Sequence, residues 1–299
     1  MKSTATAAIV SVFNPDERIL DNASALLSQV KHVVIVDDGS PQNPQQILQG
    51  LRDLGCTVER LPRNSGIAAA LNAGIELARG LPERPKFILT MDQDSLLDEG
   101  YVAALEEAAV SAEKAGVRAG LIAPASIRGL PTRRAGHKNG VPLGGEPIQS
   151  GLLVPVSVIE EIGAFQTELF IDGVDTEFFL RCESAGFKTV IAPNAALNHT
   201  LGTMTRARLL GADVSFRGVP VRVRTAATWR YYYLFRNRIL LARKYWRGHP
   251  GWALKGFLAD YRHLAIVTLL APGRLERLSA AAAGIVAGVA GKAGPRRTR

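Results

Sequence analysis

Apolar residues in the first hundred positions fall into four short runs, each closed by a polar cluster. Ala7 to Phe13 ends in Asn14-Pro15, and Val33-Val34-Ile35-Val36 ends in Asp37-Asp38-Gly39-Ser40. Thr57 to Leu61 ends in Arg63-Asn64-Ser65-Gly66, and Phe87-Ile88-Leu89-Thr90-Met91 ends in Asp92-Gln93-Asp94. Continuous apolar runs of this length read as strands buried on both faces of a parallel sheet. The stretches between them, Glu17 to Val30, Pro44 to Leu54 and Gly66 to Ala78, have helical character. The order β-α-β-α-β-α-β predicts an α/β fold, a mostly parallel sheet flanked by crossover helices. The polar clusters then gather along the carboxyl edge of the sheet, where such folds bind ligands.

Asp92 and Asp94 stand at i and i+2 just past a strand, so their carboxylates point to the same side. Two like charges held that close are unfavourable unless a cation neutralises them. The pair therefore predicts a divalent ion gripping a phosphorylated ligand. Hard oxygen ligands select Mg²⁺ or Mn²⁺. Taken alone, the same residues also fit a solvated loop.

Together these clusters resemble the nucleotide-sugar half of the family 2 glycosyltransferases, which have the GT-A fold. The residues that carry the resemblance are Val36-Asp37-Asp38-Gly39-Ser40, Asn64-Ser65-Gly66 with Asn72-Ala73-Gly74, and Met91-Asp92-Gln93-Asp94. Further on, Gly163-Ala164-Phe165, then Phe170 to Glu177 and Arg181, look like the acceptor half of that family. Phe13-Asn14-Pro15-Asp16, Asp92-Gln93-Asp94-Ser95 and Phe170-Ile171-Asp172 are closer still to its bacterial rhamnosyltransferases. The resemblance runs from residue 7 to about residue 245. It implies an inverting transfer of a sugar, L-rhamnose from dTDP-L-rhamnose, to a hydroxyl of a cell-envelope glycan or lipid-linked acceptor.

The resemblance also implies roles. Ser11, Phe13 and Asn14 lie against the nucleotide. Asp38 accepts from the N3–H of a pyrimidine, although Asp37 to Ser40 also has the composition of a turn and helix cap. Arg63, Asn64 and Gly66 open a helix whose free N–H groups suit phosphate or ribose oxygens. Asp94 binds the cation, and Asp92 contacts the ribose or a metal-bound water. His199, after the apolar segment Val190 to Leu197, contacts the metal or the diphosphate, and Thr200 to Arg206, with Arg208, forms a lid. Counted back from Arg181, Asp175 takes the place of the family's general base. Val174 replaces the Glu that precedes that base in the family, so Asp172 stays open as the second candidate.

Charge divides the chain near residue 200. Residues 1–200 carry 17 Lys and Arg against 24 Asp and Glu, a balance of −7; residues 201–299 carry 19 against 3, a balance of +16. The expected organisation is a catalytic domain over 1–203, with a donor half to residue 98 and an acceptor half from 99, and a basic helical region over 204–299. A basic tail implies an anionic partner. Tyr232, Phe235, Ile239, Ala242 and Trp246 recur at helical spacing, flanked by Arg236, Arg238, Arg243 and Arg247. That pattern fits either a helix packed on the protein or one lying on an anionic membrane.

Leu264 to Pro272 and Leu278 to Gly291 are too short to span a bilayer and read as core or surface-lying helices. Gly129 to Pro147, rich in Gly and Pro, reads as a long acceptor-side loop. Cys56 and Cys182 lack metal-ligand spacing and read as small buried residues. The first residues do not form a signal peptide. The expected location is cytoplasmic, peripheral on the inner face of the plasma membrane if the tail binds lipid. No nucleic acid is expected, because base-reading motifs are missing. The alternative is a nucleotide- or nucleic-acid-binding protein on a degenerate core, supported only by the basic tail. A nucleotidyltransferase would need a basic Gly-rich loop where Asn14-Pro15-Asp16-Glu17 stands.

Overall fold

The computed structural model describes residues 2–42, 44–199, 203–209 and 212–296. The chain forms two compact units, Met1–Phe170 with Val174–Thr200, and Ile171–Gly173 with Leu201–Arg299.

In the first unit β1 (Ser3–Val12), α1 (Arg18–Gln29), β2 (Val30–Asp37), α2 (Gln45–Asp53), β3 (Thr57–Arg60), α3 (Ile67–Arg79) and β4 (Phe87–Asp92) alternate as the apolar pattern predicts. There follow β5 (Ser95–Leu97), α4 (Tyr101–Lys114), β6 (Ala119–Ile127), β7 (Leu130–Pro131), β8 (Arg134–Lys138), β9 (Val141–Gly144) and β10 (Leu152–Pro155). A short helix α5 (Val156–Ile162), a 3-10 turn over Thr167–Leu169, α6 (Val174–Ser184) and β11 (Lys188–His199) complete it.

The sheet order is β3-β2-β1-β4-β10-β6-β11-β9-β8, with β5 on β11 and β7 on β6. Strands β1 to β4 are parallel, β10 runs antiparallel to both β4 and β6, and β11 returns parallel to β6. Ala7 to Val10 and Val33 to Val36 are buried throughout, as strands covered on both faces must be. Ile19, Ala23 and Leu26 on α1, and Leu71, Ile75 and Ala78 on α3, recur at three and four and turn one helix face to the sheet. Each fully buried Leu or Ile contributes roughly 1.5–3 kcal/mol. Gly74 allows α3 its close approach, since a Cβ there would lie 2.4 Å from Ile9 Cγ2. Both cysteines are buried thiols, and burial pushes Cys56 up to about 11 and Cys182 up to about 12.

One expectation fails. Gly129 to Pro147 is largely sheet, because β7, β8 and β9 lie within it. Asn139 and Gly140 both take positive φ, 51° and 82°, between the paired residues Lys138 and Val141. A two-residue turn of this kind matches the strand twist and closes a hairpin.

In the second unit β12 (Thr203–Arg206), β13 (Arg208–Leu209), β14 (Ala212–Asp213), β15 (Ser215–Phe216), β16 (Val219–Pro220) and β17 (Arg222–Thr225) make three small antiparallel ribbons, β12 with β17, β13 with β14 and β15 with β16. Three helices follow, α7 (Arg230–Tyr245), α8 (Pro250–Leu270) and α9 (Arg274–Val289). The Ala and Gly content of α9 has a packing cause. A Cβ at Gly284 would lie 2.3 Å from Tyr232 O, and one at Gly288 2.9 Å from Arg236 O. The backbones of α7 and α9 approach too closely for larger residues.

Most of the stripe on α7 is a packing face, while Trp246 at its end is 52% exposed. Tyr232, Phe235 and Ala242 are buried, and Arg236 is only 1% exposed. Arg236 donates to Asn237 Oδ1 at 2.8 Å and lies over Tyr233 at 4.8 Å. Arg238 pairs with Asp260 at 2.7 Å. Arg243 donates to Val289 O at 2.9 Å. Arg277 is also buried and donates to Val267 O and Pro272 O. Arg236 and Arg277 therefore serve the tail's own interior, while most of its described Lys and Arg residues are exposed. Among the described residues, no helix is long and apolar enough to cross a membrane.

Candidate active site

The strand register sets the site. Ser11 on β1 is opposite Asp92 on β4, Val12 is opposite Asp37 on β2, and Asp37 is opposite Arg60 on β3. On the far side, β5 pairs with β11 so that Ser95, the residue after Asp94, is opposite His199. Ser11, Asp37, Asp92, Asp94 and the backbone of His199 thus come to one edge. The side chain of His199 and residues 200–202 of the expected lid lie outside the described residues, while Thr203–Arg206 is a strand paired with β17.

Asp37 and Asp38 have different tasks. Asp37 is fully buried and bound by Arg60 Nε at 3.0 Å, with the Ser40 hydroxyl and N–H on its other oxygen. It ties the turn after β2 to β3. Asp38 turns to the start of α3, where its two oxygens accept from Ser65 N at 2.7 Å and Gly66 N at 2.8 Å. Burial raises its carboxyl above the usual range, and these two N–H bonds oppose the shift.

The helix start differs from the expectation of free N–H groups. Ser65 and Gly66 donate to Asp38, and Ile67 N donates to Phe170 O at 3.0 Å. Nor is the room beside Gly66 for a ligand, because a Cβ there would lie 2.4 Å from Phe170 O. Its φ of +93° and that contact explain the glycine. What this loop can offer a nucleotide is the side chains of Arg63 and Asn64.

Among the described residues, four side-chain atoms near this edge are buried with no hydrogen-bond partner: Asn14 Oδ1, Asn22 Oδ1, Asn64 Oδ1 and Gln149 Nε2. An unmade bond of this kind costs roughly 1–3 kcal/mol, which a polar ligand can recover. Asn14 itself takes a φ of 49°, and its N–H is held by Ser40 Oγ at 2.7 Å. Phe13 N donates to Gln93 Oε1 at 2.8 Å.

The Asp92-Gln93-Asp94 turn is held from behind. Asn22 Nδ2 donates to Asp92 O and Gln93 O, both at 3.3 Å. Ser150, 1% exposed, accepts from Asp92 N at 3.0 Å and bonds Ser95 Oγ at 2.7 Å. One hydroxyl thus fixes both ends of the acidic turn. Thr90 Oγ1 donates to Gln149 O at 2.6 Å, and Gly151 N to Thr90 O at 2.8 Å, so the whole 149–151 segment is sewn to β4. Sequence reasoning missed this segment.

Asp175 lies in the first turn of α6, half-buried, with Thr176 N donating to its Oδ1 at 2.8 Å. Glu177, two residues on, is buried and paired with Arg181 at 2.8 Å. Arg181 also donates to the carbonyls of Ile162, Gly163 and Ala164, and Asn72 holds Phe165 through both its N–H and its carbonyl. Gly163-Ala164-Phe165, Glu177 and Arg181 are thus the brace behind Asp175. Asp172, in the second unit, has a φ of 61° and its carboxylate is gripped by the Arg230 guanidinium, Nε at 3.2 Å and a closer Nη2 contact. Asn237 Nδ2 bonds the carbonyls of Ile171 and Asp172 at 2.8 and 2.6 Å.

Residues 7–140 match Glycosyl transferase family 2. The dTDP-rhamnosyl transferase RfbF of Shigella flexneri is 30% identical over 261 residues, 79% of this chain and 79% of that protein. The chain belongs to glycosyltransferase family 2. In fold this glycosyltransferase is similar to S. aureus TarS 1-349, with a TM-score of 0.58 at 17% identity over 97% of this chain and 81% of that one. GalNAc-T7, solved with UDP, GalNAc and Mn²⁺, gives a TM-score of 0.53 at 14% identity over 70% of this chain and 44% of that one. The chain spans 37% of the longer TarS chain that it also matches. The fold is thus GT-A, with C-terminal helices.

The donor set suits the divalent ion that the family implies. Asp94 is exposed, Asp92 half-buried, and both offer hard oxygens at the strand edge. Among the described residues no group of three or more His, Cys, Asp or Glu could hold a metal ion by itself. One or two carboxylates with substrate phosphate and water completing the shell is the usual arrangement for Mg²⁺.

Proposed function

We propose that this glycosyltransferase moves L-rhamnose from dTDP-L-rhamnose, with inversion, to a hydroxyl of a cell-envelope glycan or lipid-linked saccharide. The observation that carries the reading is the register that brings Ser11, Asp92 and Asp94 to one edge of the sheet. The Shigella relative's donor supports the choice of sugar. Residues 1–203 are read as the catalytic domain, and residues 204–299 as an appended basic region.

In this reading Ser11, Phe13, Asn14, Arg63 and Asn64 surround the nucleotide. Asp38 serves it by shaping the turn between β3 and α3 as well as by any contact to the base. Asp92 and Asp94 would hold Mg²⁺ or Mn²⁺, with the side chain of His199 as a third partner on metal or diphosphate. The ion, when bound, would offset the charge that builds on the departing nucleoside diphosphate. Asp175 takes the proton of the acceptor hydroxyl as its oxygen attacks the anomeric carbon from the face opposite the diphosphate. The new C–O bond forms while the bond to the diphosphate breaks, so the configuration inverts. Asp175 is preferred to Asp172 because, counted back from Arg181, it takes the place of the family's general base.

The test pairs two variants with chelation. Asp94→Ala, and the wild type in excess EDTA, should lose transfer and metal-dependent nucleotide binding while remaining folded. Asp175→Asn should lower kcat by roughly 10²-fold or more with donor affinity nearly intact. Full activity in EDTA would sink the metal assignment. Normal turnover by Asp175→Asn, with loss in Asp172→Asn, would move the base to Asp172. A thermal-shift panel of nucleotide sugars, in which only the selectively bound donor raises stability, tests the sugar itself.

A further inference from the structure

Helix α8 has a face that its own unit leaves uncovered. It packs through Ala253 and Val267, and Tyr261 sets its ring against Phe235 of α7 at 5.3 Å, whereas Leu254, Leu258 and Leu269 are 56, 64 and 58% exposed and Tyr261 itself stays 48% exposed. At about 100° per residue these four fall within one arc of roughly 80°, on the side away from the packed residues. Ile266 extends the exposed surface on one flank. A contiguous exposed apolar face of this kind marks an interaction surface.

Charge selects what covers it. Lys255 and Arg262 border this arc, between Leu269 and Ile266, and both are exposed. Neither makes an ion pair among the described residues, in contrast to Arg238, whose partner Asp260 is on this same helix. Arg247, just before α8, is exposed and likewise without an ion pair. An exposed apolar row bordered by cations without ion pairs, on a helix not apolar enough to cross a bilayer, can rest at the headgroup level of an anionic membrane. Two copies meeting through this face would bring Lys255 and Arg262 against their own kind unless they were offset.

We infer that the exposed face of α8 docks this protein on a bilayer containing anionic lipid. Leu254, Leu258, Tyr261 and Leu269 enter the interface, and Lys255 and Arg262 reach the headgroup phosphates with their stems along the apolar surface. The inference does not depend on which sugar is transferred. The membrane face then belongs to α8 and not to α7, where Tyr232, Phe235 and Ala242 are buried.

The experiment is vesicle co-sedimentation of the full chain, with phosphatidylglycerol–phosphatidylcholine vesicles against phosphatidylcholine alone. Wild type should bind the anionic vesicles at least tenfold more tightly and be released by high salt, since exposed charges are screened beyond a Debye length. L258S/L269S and K255E/R262E should each reduce binding at least tenfold. Both should keep the wild-type melting temperature and wild-type transfer to a water-soluble acceptor, because these positions are exposed and remote in sequence from Asp92, Asp94 and Asp175. Equal binding by the variants overturns the inference, as does failure of the wild type to bind. Self-association of the wild type that L258S/L269S abolishes, without vesicle binding, would assign the face to a second copy instead.

Discussion

Ser150 shows how much one buried hydroxyl can hold. It joins the N–H of Asp92 to the hydroxyl of Ser95, on either side of Asp94. Ser150→Ala leaves the Asp92 N–H without its acceptor, a cost of about 1–3 kcal/mol. It should raise the Mn²⁺ concentration needed for half-maximal transfer several-fold more than it raises the donor KM. Metal titrations at saturating donor check this, and an unchanged metal requirement would make Ser150 purely structural. The place of the acidic pair at a strand end was legible in the sequence, because the apolar run Phe87 to Met91 marks where β4 stops. Ser150 was not, because it comes from 58 residues downstream and a lone Ser before a Gly carries no periodic signal. Asp38 was legible as important, but the orientation of its carboxylate toward Ser65 and Gly66 is a tertiary fact.

Among elements, the start of α3 depends most on one residue. Gly66→Ala would combine a strained φ with a Cβ pressed against the Phe170 carbonyl. The two effects together should cost about 3 kcal/mol. Thermal unfolding should show a loss of roughly 5–10 °C. A wild-type melting curve would mean that the 163–170 segment can give way. The strands and helices up to β4 followed from hydrophobic period, although β3, the strand at the sheet's end, is mostly exposed. The β8–β9 hairpin did not, although its Asn139-Gly140 turn is a strong local signal. Arg134 to Lys138 is exposed throughout and offers no alternation to go with it. Strand β10 escaped as well, since four residues inserted antiparallel between β4 and β6 have no period of their own.

At the scale of the molecule, the basic tail buries Arg236 and Arg277 but keeps most of its described cations exposed, and one half-buried base within it should set a pH limit. His263 stacks on Tyr231 at 5.9 Å and bonds its hydroxyl at 3.2 Å, and burial holds its imidazole below the usual 6.5. Between the lowered folded value and 6.5 the unfolded chain binds more protons than the folded one. Stability is therefore lost as pH falls below about 6.5. His263→Phe should flatten this part of the melting-temperature profile, and an unaltered slope would place the acid sensitivity elsewhere. In the first unit, the bonds from Ile67 to Phe170 and from Asn72 to Phe165 join the nucleotide side to the segment that leads to Asp175. A hybrid enzyme that takes residues 1–98 from one parent and the remainder from another would separate Gly66 and Asn72 from the partners that they fit. Crossover points that transplant donor preference intact must carry residues 163–170 together with α3. Specificity in this fold is inherited as a non-contiguous block.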